Sequence, residues 1–250
     1  MRALPFNLLR WSAWAPGLNT VEAWQGWAEG RDDIAGDDSL PELKFIAPML
    51  RRRFSRLSRM ALQVSYDCLQ ERNDVRTIFC SRHGEIHRTK ALLDDLVKQE
   101  PISPMGFSLS VHNTASGLYS IASNNHAPSS AIAAGLDTLE MAMVDALGHL
   151  QRQPDKPVLV VLADEPLPGF YQPYDSEAAQ PYALGLLLGA ADTDIEGFDT
   201  IERLSLAAQP FNGLQPTAAL PHGLQFLHFL LNQHAISQTM GERLQWTWQR

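Results

Sequence analysis

Apolar residues spaced by three and four recur in three stretches of the chain. Leu50, Phe54, Leu57, Ala61, Val64 and Cys68 predict a helix over Met49–Leu69. A second helix is expected to open at His83-Gly84-Glu85 and run to about Val97. The third takes in Ile132, Leu136, Leu139, Met143 and Leu147, which predicts a helix over Ala131–Leu150. Unbroken apolar runs of strand length stand between and after these helices: Thr77–Ser81, Val158–Ala163 and Tyr182–Gly189. Runs without polar alternation suit strands of a sheet buried on both faces. Trp11–Gly17 reads as a strand entering a turn, and Trp11, Trp14, Trp24 and Trp27 suit a core or a partner surface. Strands alternating with helices give an α/β sheet with helices on both faces. After the last long strand the pattern leaves a strand near Asp199–Leu206, a helix over Thr217–Gln233 and a strand at Leu244–Trp248. That is space for one β-α-β unit.

Composition narrows the picture. At 250 residues the chain can bury one large core or two small ones. The apolar fraction of 45% and charged fraction of 19% are those of a soluble globular protein. A net charge of −8 and a pI near 5.4 argue against nucleic acid as the main partner. Cys68 and Cys80 lie in apolar segments and are expected buried and reduced rather than bridged. The longest apolar run, Tyr182–Ala191, is half of the ~20 residues a membrane helix needs. Pro5, Asn7 and Arg10 interrupt the first apolar segment, where a secretory signal needs an unbroken run of ~7–15 residues. A cytoplasmic location is therefore expected.

Candidate chemistry is sparse. Asp32, Asp33, Asp37, Asp38 and Glu42 lack the calcium-loop pattern and carry no interleaved His, so they read as a solvated loop. His222, His228 and His234 are six apart, a spacing that puts neighbours on different helix faces, and no metal is expected there. They are taken as surface or core histidines. No Gly-x-Ser-x-Gly elbow, dinucleotide or phosphate-loop glycine pattern occurs. Arg52, Arg56 and Arg59 share a face of the first predicted helix, with Arg51 and Arg53 beside them. That face is either a solvated basic stripe or a dock for the carboxylates and phosphates of an acidic partner. Ser108 or Ser110 with His112 would be the elements of a serine hydrolase.

The segment Phe107–Gly135 resembles the surroundings of the nucleophile in β-ketoacyl synthases. Ser110, Asn113 and Gly117 match the small-residue helix ahead of the nucleophile strand, and Gly84-Glu85 matches a Gly-Glu pair earlier in that fold. Ser129-Ser130-Ala131-Ile132-Ala133-Ala134-Gly135 is similar to the turn that carries the catalytic Cys. Ile132 then occupies the Cys position; an ungapped count from Asn113 lands nearer Leu136. Neither is a thiol. The resemblance is to the short, ketosynthase-like chain-length-factor subunits of aryl polyene biosynthesis. It implies a truncated thiolase-like layered sandwich (the ketosynthase N-terminal half) with a short β-α-β C-terminal remnant. Residues 1–250 would form one domain, with a core over 1–190 and a reduced part over 191–250.

The resemblance also implies a role. Decarboxylative condensation needs a thiolate, two His donors and an oxyanion hole. This chain lacks the thiol in the motif and the half that would carry the His pair. The implied function is a non-catalytic chain-length-factor-like subunit, without a cofactor, that heterodimerises with an active β-ketoacyl-ACP synthase. It would shape the acyl tunnel of that partner in polyketide or fatty-acid-type (aryl polyene) synthesis and meet acyl carrier protein transiently. The strand Asn124–Ser130 would pair across the dimer axis. Phe107, Ser110, Val111 and Thr114, on one helical face, would line the tunnel or the interface. A purely stabilising scaffold and the serine hydrolase are the alternatives.

Overall fold

Eight strands form one sheet in the computed structural model, which describes residues 3–175, 180–211, 213 and 220–250. They are β1 (Leu4–Trp14), β2 (Arg76–Cys80), β3 (Ser129–Ile132), β4 (Val158–Asp164), β5 (Tyr182–Ala190), β6 (Glu202–Pro210), β7 (Ile236–Met240) and β8 (Leu244–Gln249). Their order is β3-β2-β4-β5-β1-β6-β8-β7. β2 runs parallel to β3 and β4, and every other pairing is antiparallel. The helices are α1 (Val21–Ala28), α2 (Pro48–Arg51), α3 (Arg56–Leu69), α4 (Ile86–Val97), α5 (Pro104–Ser108), α6 (Thr114–Ser123), α7 (Thr138–Arg152) and α8 (His222–Leu231).

The unbroken apolar strands are buried on both faces, as expected. Val158, Val160 and Leu162 of β4 face a core shared with α1, α7 and α8. Leu159, Val161 and Ala163 face a second core under α3 and α6. Each such side chain contributes ~1.5–3 kcal/mol by leaving water, so these strands set the register of the whole sheet. α3 lies close enough to need a glycine beneath it. A methyl group at Gly185 would meet the Val64 carbonyl oxygen at 2.9 Å and Cys68 Sγ at 3.0 Å.

β6, β7 and β8 extend the same sheet rather than starting a new one. Leu204, Leu206, Ala208, Trp246 and Trp248 are buried in the core under α8, while Arg203 and Gln209 are exposed. That alternation belongs to antiparallel strands covered on one side.

Three expectations need correction. The first helix is two. Ser55 is extended and its hydroxyl caps α3 by accepting from Ser58 N at 3.0 Å, so the chain breaks between Arg51 and Arg56. The helix expected over Ala131–Leu150 begins only at Thr138, because Ser129–Ile132 pairs with Thr77–Cys80 as β3. Parallel pairing overrides a helical apolar spacing that Ile132 and Leu136 matched by coincidence. The C-terminal unit is β-α-β-β. Its first strand is Glu202–Pro210, its helix His222–Leu231, and β7 is an added strand. Residues 217–219 of the expected helix lie outside the described residues.

Candidate partner interface

β3 is an edge strand with one neighbour, β2. Pro128 and Ile132 turn their carbonyls toward β2, accepting from Thr77 N and Ser81 N at 3.2 Å each. The backbone groups of Ser129 and Ala131 therefore point away from the sheet, because successive residues of a strand alternate sides. Both residues are exposed. An open row of N–H and C=O groups of this kind is a template for another chain.

Apolar side chains are exposed on α6 and α7, which pack beside β3, and on α4 and α5. Leu93, Leu96 and Val97 of α4, Ile102, Met105 and Phe107 at α5, Val111, Ile121 of α6 and Met141 of α7 are all exposed. Val97 is 83% and Ile121 71% exposed, values that leave these side chains uncovered by the chain itself. Concentrations of exposed apolar area mark interaction surfaces.

A polar lattice beneath holds α4 and α6 in place. Ser81 Oγ and the Arg82 amide both donate to Asp164 Oδ1 at 2.8 Å, and the Gly84 amide donates to Ser81 Oγ at 2.8 Å. His112 Nε2 donates to the Ser81 carbonyl at 2.8 Å. Gly84 sits at φ +55, and a Cβ there would reach His112 Cδ2 at 2.9 Å. The buried Glu85 accepts from Ser55 Oγ (2.6 Å), Ser58 Oγ (2.7 Å) and Arg88 Nε (3.1 Å), tying α4 to α3. These bonds also dispose of the hydrolase reading. Ser108 Oγ donates to the Pro104 carbonyl and Ser110 Oγ to the Phe107 carbonyl, both at 2.9 Å, while His112 is committed to Ser81. Neither hydroxyl is paired with an imidazole, as a nucleophile would be.

The expected tunnel residues do not share a face. α5 ends at Ser108, and α6 starts at Thr114 after a turn. Phe107 is 65% and Val111 47% exposed, Ser110 is half-buried, and Thr114 is buried in the protein. The three arginines are likewise separated. Arg52 lies beyond α2 and is exposed. Arg56 bonds Asp38 Oδ1 at 3.2 Å and the Asp37 carbonyl at 2.9 Å, and Arg59 bonds the Arg51 carbonyl at 3.1 Å. Arg56 and Arg59 are half-buried and engaged within the chain.

Ile132 is not in the turn. It closes β3 opposite Cys80, and the strand-to-helix turn falls at Ala133–Asp137, with Leu136 just before α7. Gly135 there has φ +57, and a Cβ would collide with the Glu242 carboxylate. Thr138 Oγ1 donates to the Gly135 carbonyl at 2.7 Å and accepts from Ala134 N at 3.0 Å. Asp137 accepts from Trp246 Nε1 at 2.6 Å and Glu242 N at 3.1 Å. One turn deeper, the fully buried Glu140 accepts from Thr239 Oγ1 at 2.9 Å and pairs with His222 Nδ1 at 2.9 Å. The C-terminal strands thus latch the turn shut. No local pattern marks the Glu140–His222–Thr239 set, because His222 and Thr239 lie 82 and 99 residues from Glu140. Cys80 and Cys68 are both buried, and burial pushes each thiol pKa up. Neither is an available thiolate.

The apolar-strand sheet, with its open parallel edge and a strand-to-helix turn beside it, is a mixed α/β domain layered with helices. The family model for the β-ketoacyl synthase N-terminal domain matches residues 24–249, and the chain belongs to that family. Its fold is the thiolase-like ketosynthase N-terminal fold, truncated relative to full ketosynthases. It is 32% identical to a chain in the structure of the ketosynthase ApeO in complex with its chain length factor ApeC from Xenorhabdus doucetiae. That match covers 99% of this chain and 100% of the other, with a TM-score of 0.81. The ishigamide ketosynthase/chain length factor shares the fold at 16% identity and TM-score 0.64, over 83% of this chain and 67% of that one. Ketosynthase twelve of the bacillaene polyketide synthase of Bacillus amyloliquefaciens does so at 15% identity and TM-score 0.55. There the match covers 82% of this chain and 45% of the other. No curated protein matches the chain. Among the described residues, no helix is long and apolar enough to cross a membrane.

Proposed function

We propose that this chain is a chain-length-factor-like subunit that pairs with an active β-ketoacyl-ACP synthase through the β3 edge and the apolar surface beside it. The match over the whole length of a chain from a ketosynthase–chain length factor complex carries this reading. The open edge and the nine exposed apolar side chains named above support it. The chain itself is catalytically silent in this reading. Ile132 by the motif, or Leu136 by the turn, stands where a nucleophile would, and neither apolar side chain can hold an acyl group. Phe107 and Val111 are the residues offered to the acyl tunnel of the partner, and aryl polyene synthesis is the pathway. Arg52 is left from the basic stripe for a passing acyl carrier protein. The test is co-expression with the neighbouring ketosynthase, then sizing of the complex and analysis of product length. A stable, well-dispersed monomer at micromolar concentration, indifferent to the ketosynthase, would overturn the reading.

A purely stabilising scaffold is the second reading. It is favoured by the dispersal of the four expected tunnel residues, of which only Phe107 and Val111 project from the surface.

A further inference from the structure

β2, β3 and β4 are parallel, so their first residues gather at the end of the sheet away from the latched turn. α7 ends at the same place. Two adjoining cavities of about 260 Å³ each lie there and share Arg76, His149 and Gln153. Arg152 lines one of them, and Lys156 and Asp74 line the other.

The three cations are not neutralised from within. Among the described residues, the Arg76 guanidinium, half-buried at the start of β2, has no hydrogen-bond or ion-pair acceptor, and neither has the Lys156 ammonium. Arg152 Nη2 donates to His149 Nδ1 at 2.9 Å, which aims its guanidinium without cancelling its charge. His149 Nε2 is 3.5 Å from Asp145 Oδ1. Burial and the neighbouring Arg76 hold the His149 pKa below its ordinary value, which keeps the ring a neutral acceptor for Arg152. In a chain of net charge −8, this is a local concentration of positive charge with one opposing carboxylate, Asp74, on its wall.

We propose that this cavity binds the phosphate group of a small phosphate monoester, with Arg76, Arg152 and Lys156 as its ligands. Two guanidinium forks suit the oxygens of a tetrahedral dianion, and a lysine adds a point charge. The Arg76 guanidinium makes no hydrogen bond within the described residues, so its donors are open to an anion in the cavity. The cavity exceeds the size of a lone phosphate, which leaves room for the organic part.

The experiment is calorimetric titration of the purified chain, with its co-expressed partner where one co-purifies. Glycerol 3-phosphate and inorganic phosphate are compared with chloride at equal, low ionic strength. Saturable binding of glycerol 3-phosphate is expected, and tighter binding of inorganic phosphate would assign the same site to the free ion. Arg76→Gln and Lys156→Gln should each weaken it about tenfold, equivalent to ~1.4 kcal/mol. Asp74→Asn should tighten it severalfold, a gain that misfolding cannot imitate. Heat no larger than that of chloride, or undiminished binding by both Arg76→Gln and Lys156→Gln, overturns the proposal.

Discussion

In the proposed reading an apolar side chain, Ile132 or Leu136, stands in the nucleophile's seat. Replacing it tests whether the seat alone is enough. Leu136→Cys, and equally Ile132→Cys, should leave no acyl adduct by intact mass after incubation with acyl-carrier substrates. A thiol needs a neighbouring base or oxyanion donors to act, and the nearby carboxyls are already engaged, Asp137 by Trp246 and Glu242 N and Glu140 by Thr239 and His222. Cys80 gives a pH test. Its folded pKa lies well above the ordinary thiol value, so the native thiol keeps its proton where an unfolded one, with a pKa near ~8.5, loses it. Above that pH the unfolded state binds fewer protons, so this group lowers stability as pH rises. Iodoacetamide at pH 9 should accordingly modify Cys80 only at the rate of unfolding; fast native-state labelling contradicts the burial. Phe107 separates the two functional readings. Phe107→Ala should add one or more extension cycles to the product and Val111→Trp should remove them. Unchanged products from intact complexes of both variants would leave the scaffold.

Among the elements, legibility followed chemistry. β2, β4 and β5 were legible because unbroken apolar runs fit only a sheet covered on both sides, and α4 because Gly84 and Glu85 mark its start. β3 was hidden. Ser129–Ile132 is short, lies at an edge and is covered only in part, so its sequence carries little apolar alternation. β7 reads Ile-Ser-Gln-Thr-Met, with only Thr239 buried, and was missed for the same reason. The interface was legible as the segment around Asn113 but not in its shape, since nothing local announces that α5 stops at Ser108. The alternation along β3 offers a clean perturbation. Ala131→Pro removes an N–H that faces the open side and leaves the ladder to β2 intact. The variant should keep its circular dichroism and lose the heterodimer on a sizing column. Retention of the complex would show that pairing does not use this edge.

For the whole molecule, the C-terminal strands matter more than their size suggests. They extend the sheet, cover the core under α8 and hold the turn before α7 through Asp137 and Glu140. Glu140→Ala removes the buried carboxylate that accepts from Thr239 and pairs with His222. It should cost ~3 kcal/mol, seen as a lower urea midpoint with an unchanged slope. A loss below ~1 kcal/mol would mean that water replaces the carboxylate.

The place of β1 in the sheet has a consequence for how the chain is made. β1 lies between β5 and β6, pairing Phe6 with Ala190 and Leu4 with Leu206. It has no neighbour in the sheet until β5 (Tyr182–Ala190) is made, and the Asp137 turn waits for Trp246. Contacts so distant in sequence are slow to form and leave apolar strands exposed meanwhile. Synthesis beside a partner already folded would shorten that exposure at the β3 edge, where it can be relieved before the last strand emerges.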